Sequence, residues 1–297
     1  MNPVSIYKYY KNLTAIEFSD SANTPENFVV FIGGLTDGFL TVPYVPLLAK
    51  EICGQLHGRW ALVQALISSS YLGFGTGSLS RDAEELSKLV AYLRKQRGSD
   101  SSKIVLMGHS TGCQDTMEYL TGTHEFEHIS RLDGAILQAP ISDVEACEYL
   151  DTEKQLPGLL AIAEKFIGEG KSEELLPVSS FDLTFGAPTT AYRFHSMYSR
   201  NGDDDFFLSY LKDSVLEKTF GKVKVPLLAL QGSKDGAIPP YVDMATLMNR
   251  WRKFAERWSS LSCIILGADH NLSEDSDAGA VDILIEKVIS FIKKEFQ

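Results

Sequence analysis

A mostly parallel α/β sheet with helices on both faces and a helical insertion is what this sequence predicts. Three observations carry that expectation. Strand-like apolar runs alternate with amphipathic helical stretches along most of the 297 residues. The alternation stops between residues 141 and 224 and then resumes. One of the strand-to-helix junctions is the tight turn Gly108-His109-Ser110-Thr111-Gly112.

In chain order, residues 14–18 read as an early antiparallel strand, and 28–32 as a buried strand running into Gly33-Gly34-Leu35. Strands follow at 60–64 and 104–107. Between these two, residues 80–97 place Ala83, Leu86, Leu89, Val90 and Leu93 on one helical stripe. Ser80 is the expected cap there, with Asp82 and Glu84 at the positive N-terminal end. Residues 113–120 read as a helix ending at Gly122. Further strands are expected at 134–138, 226–230 and 263–266. Ile283, Leu284, Val288, Ile289 and Ile292 set a closing helix over 281–296. Residues 1–140 and 225–297 thus form the core of a single domain. Residues 141–224, with helical patches and no buried strand, form an insertion placed where a lid or pocket wall would sit.

Composition narrows the function. A 44% hydrophobic and 23% charged chain of this length suits a soluble globular protein with a substantial core. The net charge of −11 argues against nucleic acid, whose phosphates need a basic face. Cys53, Cys113, Cys147 and Cys263 are scattered and form no Cys-x-x-Cys pair, which fits reduced thiols, and Cys113 reads as a buried small hydrophobe. The N-terminal stretch has no signal-peptide core, and no run reaches membrane-spanning length. A cytoplasmic protein with no membrane span is expected.

Ser110 is the expected nucleophile. Gly-x-Ser-x-Gly between a strand and a helix is a nucleophile elbow, which presents the serine oxygen at strained backbone angles. Serine needs a base, and the base needs an orienting acid. His270, in Gly267-Ala268-Asp269-His270 after the last strand, is the expected base, whereas His109 should point into the structure. Two aspartates compete for the acid. Asp235 lies in Gly232-Ser233-Lys234-Asp235-Gly236 after 226–230, and Asp143 in Pro140-Ile141-Ser142-Asp143 after 134–138. The loop pattern and the 35-residue interval to His270 favour Asp235. Asp143 then serves as a structural anchor. Asp269 is too close in sequence to His270 to face its Nδ1, so it is expected to bond within its own loop. An oxyanion needs two backbone N–H donors. Thr111 supplies one, and the glycine-rich loop from Gly33 to Phe39 supplies the other from Leu35, with Thr36 next. Gly34, Thr36, Phe74, Phe194 and Tyr198 are the expected substrate contacts.

Three other signals are weaker. His124-Glu125-Phe126-Glu127-His128 matches the zincin pattern, but Gly122 breaks the helix it needs and no third ligand follows. Gly73-Phe74-Gly75-Thr76-Gly77 lacks the lysine of a phosphate loop and reads as a rim loop. Asn201-Gly202-Asp203-Asp204-Asp205 lacks the ligand ladder of a calcium loop. This acidic run follows Tyr192, Phe194 and Tyr198 and precedes Phe206 and Phe207. It reads either as a wall attracting a cationic ligand or as a solvated loop. No metal and no organic cofactor are expected.

Several phrases act together: Phe31-Ile32-Gly33-Gly34-Leu35-Thr36-Asp37-Gly38, Thr41-Val42-Pro43-Tyr44, Gly108 to Asp115, Gln138-Ala139-Pro140-Ile141-Ser142-Asp143 and Gly267 to His270. They resemble a fungal and plant branch of the α/β hydrolases that includes fungal intracellular siderophore esterases. The similarity spans nearly the whole chain and is weakest in the insertion. It implies an α/β-hydrolase fold and a Ser110–Asp235–His270 triad. The implied substrate is an ester of a fusarinine-type hydroxamate siderophore, cleaved so that iron is released. A ferric ion would then belong to the substrate. The residues themselves leave two alternatives. One is a general carboxylesterase, thioesterase or acyltransferase using the same acyl-enzyme. The other is a non-catalytic binder on the same fold.

Overall fold

Eight strands form one sheet in the computed structural model, which describes residues 4–19 and 24–297. Residues 1–3 of the N-terminal stretch and 20–23, both within the expected 1–140 segment, lie outside the described residues. The strands are β1 (Val4–Tyr10), β2 (Leu13–Phe18), β3 (Asn27–Ile32), β4 (Trp60–Ala65), β5 (Ile104–His109), β6 (Gly134–Gln138), β7 (Leu227–Gly232) and β8 (Cys263–Ile265). Their spatial order is β1-β2-β4-β3-β5-β6-β7-β8. β1 and β2 pair antiparallel, β2 joins β4 antiparallel, and the remainder run parallel.

Every residue of β3 to β7 is buried, which is why these strands read as largely apolar runs. β1 escaped the sequence reading for the opposite reason. It is the sheet edge, Ile6 is 66% exposed, and it presents little apolar pattern to a core.

Helices α1 (Val45–Gln55) and α9 (Ala280–Phe296) cover one face, against Val29, Phe31 and Val105. On the other, α2 (Leu79–Tyr92) packs on Phe28, Val30 and Leu106. Beside it α3 (Gly112–Thr121) and α8 (Met244–Phe254) pack on Leu137 and Ala229. Successive β3 side chains thus serve opposite faces, as a period of two requires.

Two helix details correct the sequence reading. α2 begins at Leu79 because Ser78, not Ser80, accepts the Arg81 N–H at 3.1 Å; a cap must lie just outside the first turn. Residues 93–97 continue it as a π turn. In α9, Leu284, Val288, Ile289 and Ile292 are buried, but Ile283 is 38% exposed, one residue step off the stripe.

The chain direction reverses across the sheet at β3, with β4 on one side and β5 on the other. The crevice at the carboxyl ends of these strands is where an open α/β sheet binds ligands. Between β6 and β7 run α4 (Asp143–Leu150), α5 (Leu156–Gly168), α6 (Ala191–Tyr198) and α7 (Asp213–Lys218). They add no strand, only an isolated bridge between Leu175 and Thr190. Among the described residues no helix is long and apolar enough to cross a membrane.

Candidate active site

Ser110 follows the last residue of β5 with φ +53°, a conformation that costs a side-chain-bearing residue free energy and persists only where neighbours over-determine it. Here they do. The Ser110 N–H donates to the Gln138 carbonyl at 3.0 Å, and its own carbonyl accepts the Cys113 N–H at 2.8 Å. A Cβ on Gly108 would lie 2.1 Å from the Gly112 carbonyl oxygen, so the strand and helix can approach this closely only without side chains there.

Three side chains from three loops meet at this point. His270 Nε2 lies 2.8 Å from Ser110 Oγ, and His270 Nδ1 lies 2.7 Å from Asp235 Oδ2. A carboxylate at Nδ1 keeps the proton on that nitrogen and leaves the Nε2 lone pair facing the serine hydroxyl. Asp235 is itself held: Oδ1 accepts the Ala237 N–H at 3.0 Å, and Oδ2 the Gln231 amide at 2.8 Å. Asp143 takes no part in this line. It opens α4 behind the capping Ser142, and its Oδ2 accepts from Gln114 Nε2 at 2.6 Å. Asp269 accepts the Ser273 N–H at 2.9 Å and the Ser276 hydroxyl at 3.0 Å, bonds within its own loop.

His109 is buried, with its ring 5.2 Å from that of His270. Burial, and then the neighbouring imidazole, pull its pKa down to about 4, so at neutral pH it carries no charge beside the Ser110–His270 pair.

The sequence reading missed three buried glutamines, each in the carboxyl half of a strand. Gln64 of β4 donates to the Gly38 carbonyl at 2.9 Å and accepts the Leu40 N–H at 3.1 Å, steadying the loop after β3. Gln138 of β6 bonds His109 Nδ1, accepts the Tyr44 hydroxyl at 2.9 Å and donates to the His270 carbonyl at 3.4 Å. Gln231 of β7 holds Asp235. The signal was available: a polar amide in an otherwise apolar buried strand must find a partner.

A cavity of about 730 Å³ opens over Ser110 and His270. Leu35 and Thr36 line it, and so does Tyr198 of α6. Among the described residues, the N–H groups of Leu35, Thr36 and Thr111 have no hydrogen-bond partner. The loop that carries the first two is pinned by Asp37, whose carboxylate accepts the Gly34 N–H at 2.8 Å and the Thr41 hydroxyl at 2.8 Å.

Three expected substrate contacts need correction. Gly34 packs against the nucleophile rather than lining the cavity: a Cβ on it would lie 2.6 Å from Ser110 Cβ. Phe74 and Phe194 are buried in one apolar cluster with Leu159 and Met197, behind Tyr198, and do not line the cavity themselves. The glycine-rich stretch around Phe74 is therefore a seam between the sheet loops and the insertion. The Thr190 N–H donates to the Gly75 carbonyl at 2.9 Å, and Arg193 Nε to the Phe74 carbonyl at 3.2 Å.

The acidic run is neither pocket wall nor simply solvated. Asp203 accepts the Tyr192 hydroxyl at 2.6 Å, and Asp205 accepts the Asn201 N–H at 3.0 Å. Asp204 is buried against Arg193 Nη1 at 2.7 Å and Ser196 Oγ at 2.6 Å. His124 lies outside any helix and meets Glu118 at 2.8 Å, whereas His128 begins a short 3-10 turn beside Arg131. Among the described residues no cluster of metal-ligating side chains is present.

Known proteins resemble this chain over nearly its whole length. A family model described as "Protein of unknown function (DUF1749)" matches residues 1–293. A UPF0613 protein of Schizosaccharomyces pombe is 36% identical over 98% of this chain and 97% of its own length. Fusarinine C esterase SidJ of Aspergillus fumigatus is 33% identical over 98% and 95%. The solved siderophore hydrolase EstB from Aspergillus fumigatus superimposes with a TM-score of 0.87 at 30% identity, covering 100% of this chain and 98% of that one. The fold is the α/β-hydrolase fold.

Proposed function

The chain belongs to the DUF1749 family, and we propose that it hydrolyses the ester bonds of a fusarinine-type hydroxamate siderophore through an acyl-enzyme on Ser110. It is a carboxylic ester hydrolase. The observation that carries the mechanism is the hydrogen-bonded line from Ser110 Oγ through His270 to Asp235 beneath the cavity.

In this reading His270 Nε2 removes the hydroxyl proton as Ser110 Oγ attacks the ester carbonyl. The Leu35 and Thr111 N–H groups hold the oxyanion, and Asp235 stabilises the imidazolium. His270 then returns the proton to the departing alcohol. Water, activated by the same imidazole, releases the acid. Cutting the esters of a multidentate chelator separates its hydroxamates and lowers their effective concentration around iron. The ferric ion belongs to the substrate, and the protein needs no metal or organic cofactor of its own. Residues 141–224 act as a lid on a core of 1–140 and 225–297. The protein works in the cytoplasm, in iron metabolism, and does not bind nucleic acid. The uninterrupted line of three side chains argues against a non-catalytic binder.

The test is mass-spectrometric product analysis of ferric and iron-free fusarinine C incubated with the wild-type protein and with Ser110→Ala. The reading expects ring-opened and monomeric products from the wild type alone. Intact siderophore beside rapid cleavage of short acyl esters would replace it with a general carboxylesterase. Chelators should leave turnover of an iron-free ester unaffected.

A further inference from the structure

We propose that His109 is a positioning residue for the catalytic base: its ring, with the proton on Nδ1, ties Gln138 of β6 to Asn271 and so aims the loop that carries His270. The proposal rests on the ester-hydrolase reading of the site and deepens it.

The tautomer follows from the partners. Gln138 Nε2 donates to the His270 carbonyl at 3.4 Å, which orients the amide and leaves Oε1 on its other side. Oε1 accepts the Tyr44 hydroxyl at 2.9 Å and also faces His109 Nδ1. A carbonyl oxygen only accepts, so Nδ1 holds the proton. Burial, and then the neighbouring His270, keep the ring uncharged at neutral pH. Asp37 Oδ2, 3.9 Å from Nε2, favours an imidazolium and is outweighed; that carboxylate already accepts the Gly34 N–H and the Thr41 hydroxyl. Nε2 is therefore a bare acceptor. Asn271 Oδ1 stands 3.2 Å from it. Two acceptors do not bond, so the bridge requires the Asn271 amide turned, with its N–H on the bare nitrogen.

Both ends of the bridge bear on the reaction. Gln138 also serves the nucleophile, because its carbonyl accepts the Ser110 N–H at 3.0 Å. Asn271 directly follows His270 and lines the cavity. Two tethers thus run from the ends of β5 and β6 to the base loop. One passes through the Gln138 side chain to the His270 backbone, the other through His109 to the Asn271 side chain. The Asp269 bonds to Ser273 and Ser276 are internal to that loop, so they shape it without aiming it at Ser110. A buried imidazole suits the task, since it holds a donor and an acceptor in one rigid plane. The accuracy matters: a shift of about 1 Å in a reacting group can cost on the order of 10²-fold in rate.

The test follows turnover of a short acyl ester, so an intact siderophore would count against the substrate named above without touching this measurement. His109→Phe keeps a flat ring and loses both hydrogen bonds, whereas His109→Gln can still donate and accept. His109→Phe should lower kcat at least about tenfold with KM little moved, and His109→Gln should regain most of the loss. Asn271→Ala should also lower kcat, but adding it to His109→Phe should cost nothing further, because the bond it removes is already gone. Additive losses, or a His109→Phe loss confined to KM, would overturn the proposal. A readout independent of turnover and of any variant is the imidazole nitrogen NMR spectrum of the wild-type protein. The His109 ring should show a protonated Nδ1 and a bare Nε2 at neutral pH. A proton on Nε2 would overturn the proposal even if every variant failed to fold.

Discussion

The loops that carry Ser110, Asp235 and His270 and the insertion between β6 and β7 border the same cavity, yet they are built by different means. The catalytic loops are short and leave the carboxyl ends of β5, β7 and β8. Each is fixed by a hydrogen bond from a strand residue or from its own backbone, as Gln231 fixes Asp235. The insertion leans on an apolar cluster joining residues far apart in sequence, Phe74 to Phe194 and Met197, and on the buried Arg193–Asp204 pair within it. Positioning is local in the first region and collective in the second, so single substitutions should affect chemistry in one and stability in the other.

The largest expected effect lies in the loops. Asp235→Asn should lower kcat on the order of 10⁴-fold, because an amide no longer fixes the Nδ1 proton of His270. Asp143→Asn should cost far less on an uncharged ester. The reverse order, read from steady-state kinetics, would move the acid to the strand before.

In the insertion, Arg193→Met should destabilise by about 3–5 kcal/mol by leaving Asp204 buried without its partner. The double change with Asp204→Leu should recover much of that loss. Denaturant melts of the three proteins decide it, and an Arg193→Met protein as stable as wild type would mean the insertion does not depend on the pair. Asp82 sits near this seam, bonded to Ser69 Oγ at 2.6 Å. Burial raises its pKa to about 6. The folded state therefore holds a proton that the unfolded state releases between the ordinary carboxylate range and about pH 6. Stability from this group falls as pH rises through that window, and Asp82→Asn should flatten the slope in pH-dependent melts.

Smaller effects sharpen the contrast. Gln231→Leu should lower kcat about tenfold through loss of one hydrogen bond to a charged group, with KM little moved. Ser78→Ala should cost about 1 kcal/mol of stability as a lost helix cap, and Ser80→Ala less than half of that. Equal costs at the two serines would return the cap to Ser80.

What the sequence made legible follows the same division. The order Ser110, Asp235, His270 could be read because each residue lies in a turn next to an apolar strand, and such turns have local glycine and proline signatures. The fully buried strands were legible for the same reason. Phe74, in the loop after β4, and Phe194, in the insertion, were misplaced because an aromatic residue outside the sheet looks alike whether it faces a ligand or a private core. Asp204 was read from its acidic neighbours, although its partner Arg193 lies 11 residues back on α6. Gln64, Gln138 and Gln231 were readable in principle. An amide inside a buried strand calls for a partner, but sequence does not say which loop supplies it.

The most direct test of the central claim is peptide-level mass spectrometry after brief exposure to a fluorophosphonate. The account predicts a single adduct on Ser110 in the wild-type protein, slowed strongly in His270→Ala and absent in Ser110→Ala. An adduct on another residue, or undiminished labelling of Ser110→Ala, would contradict it.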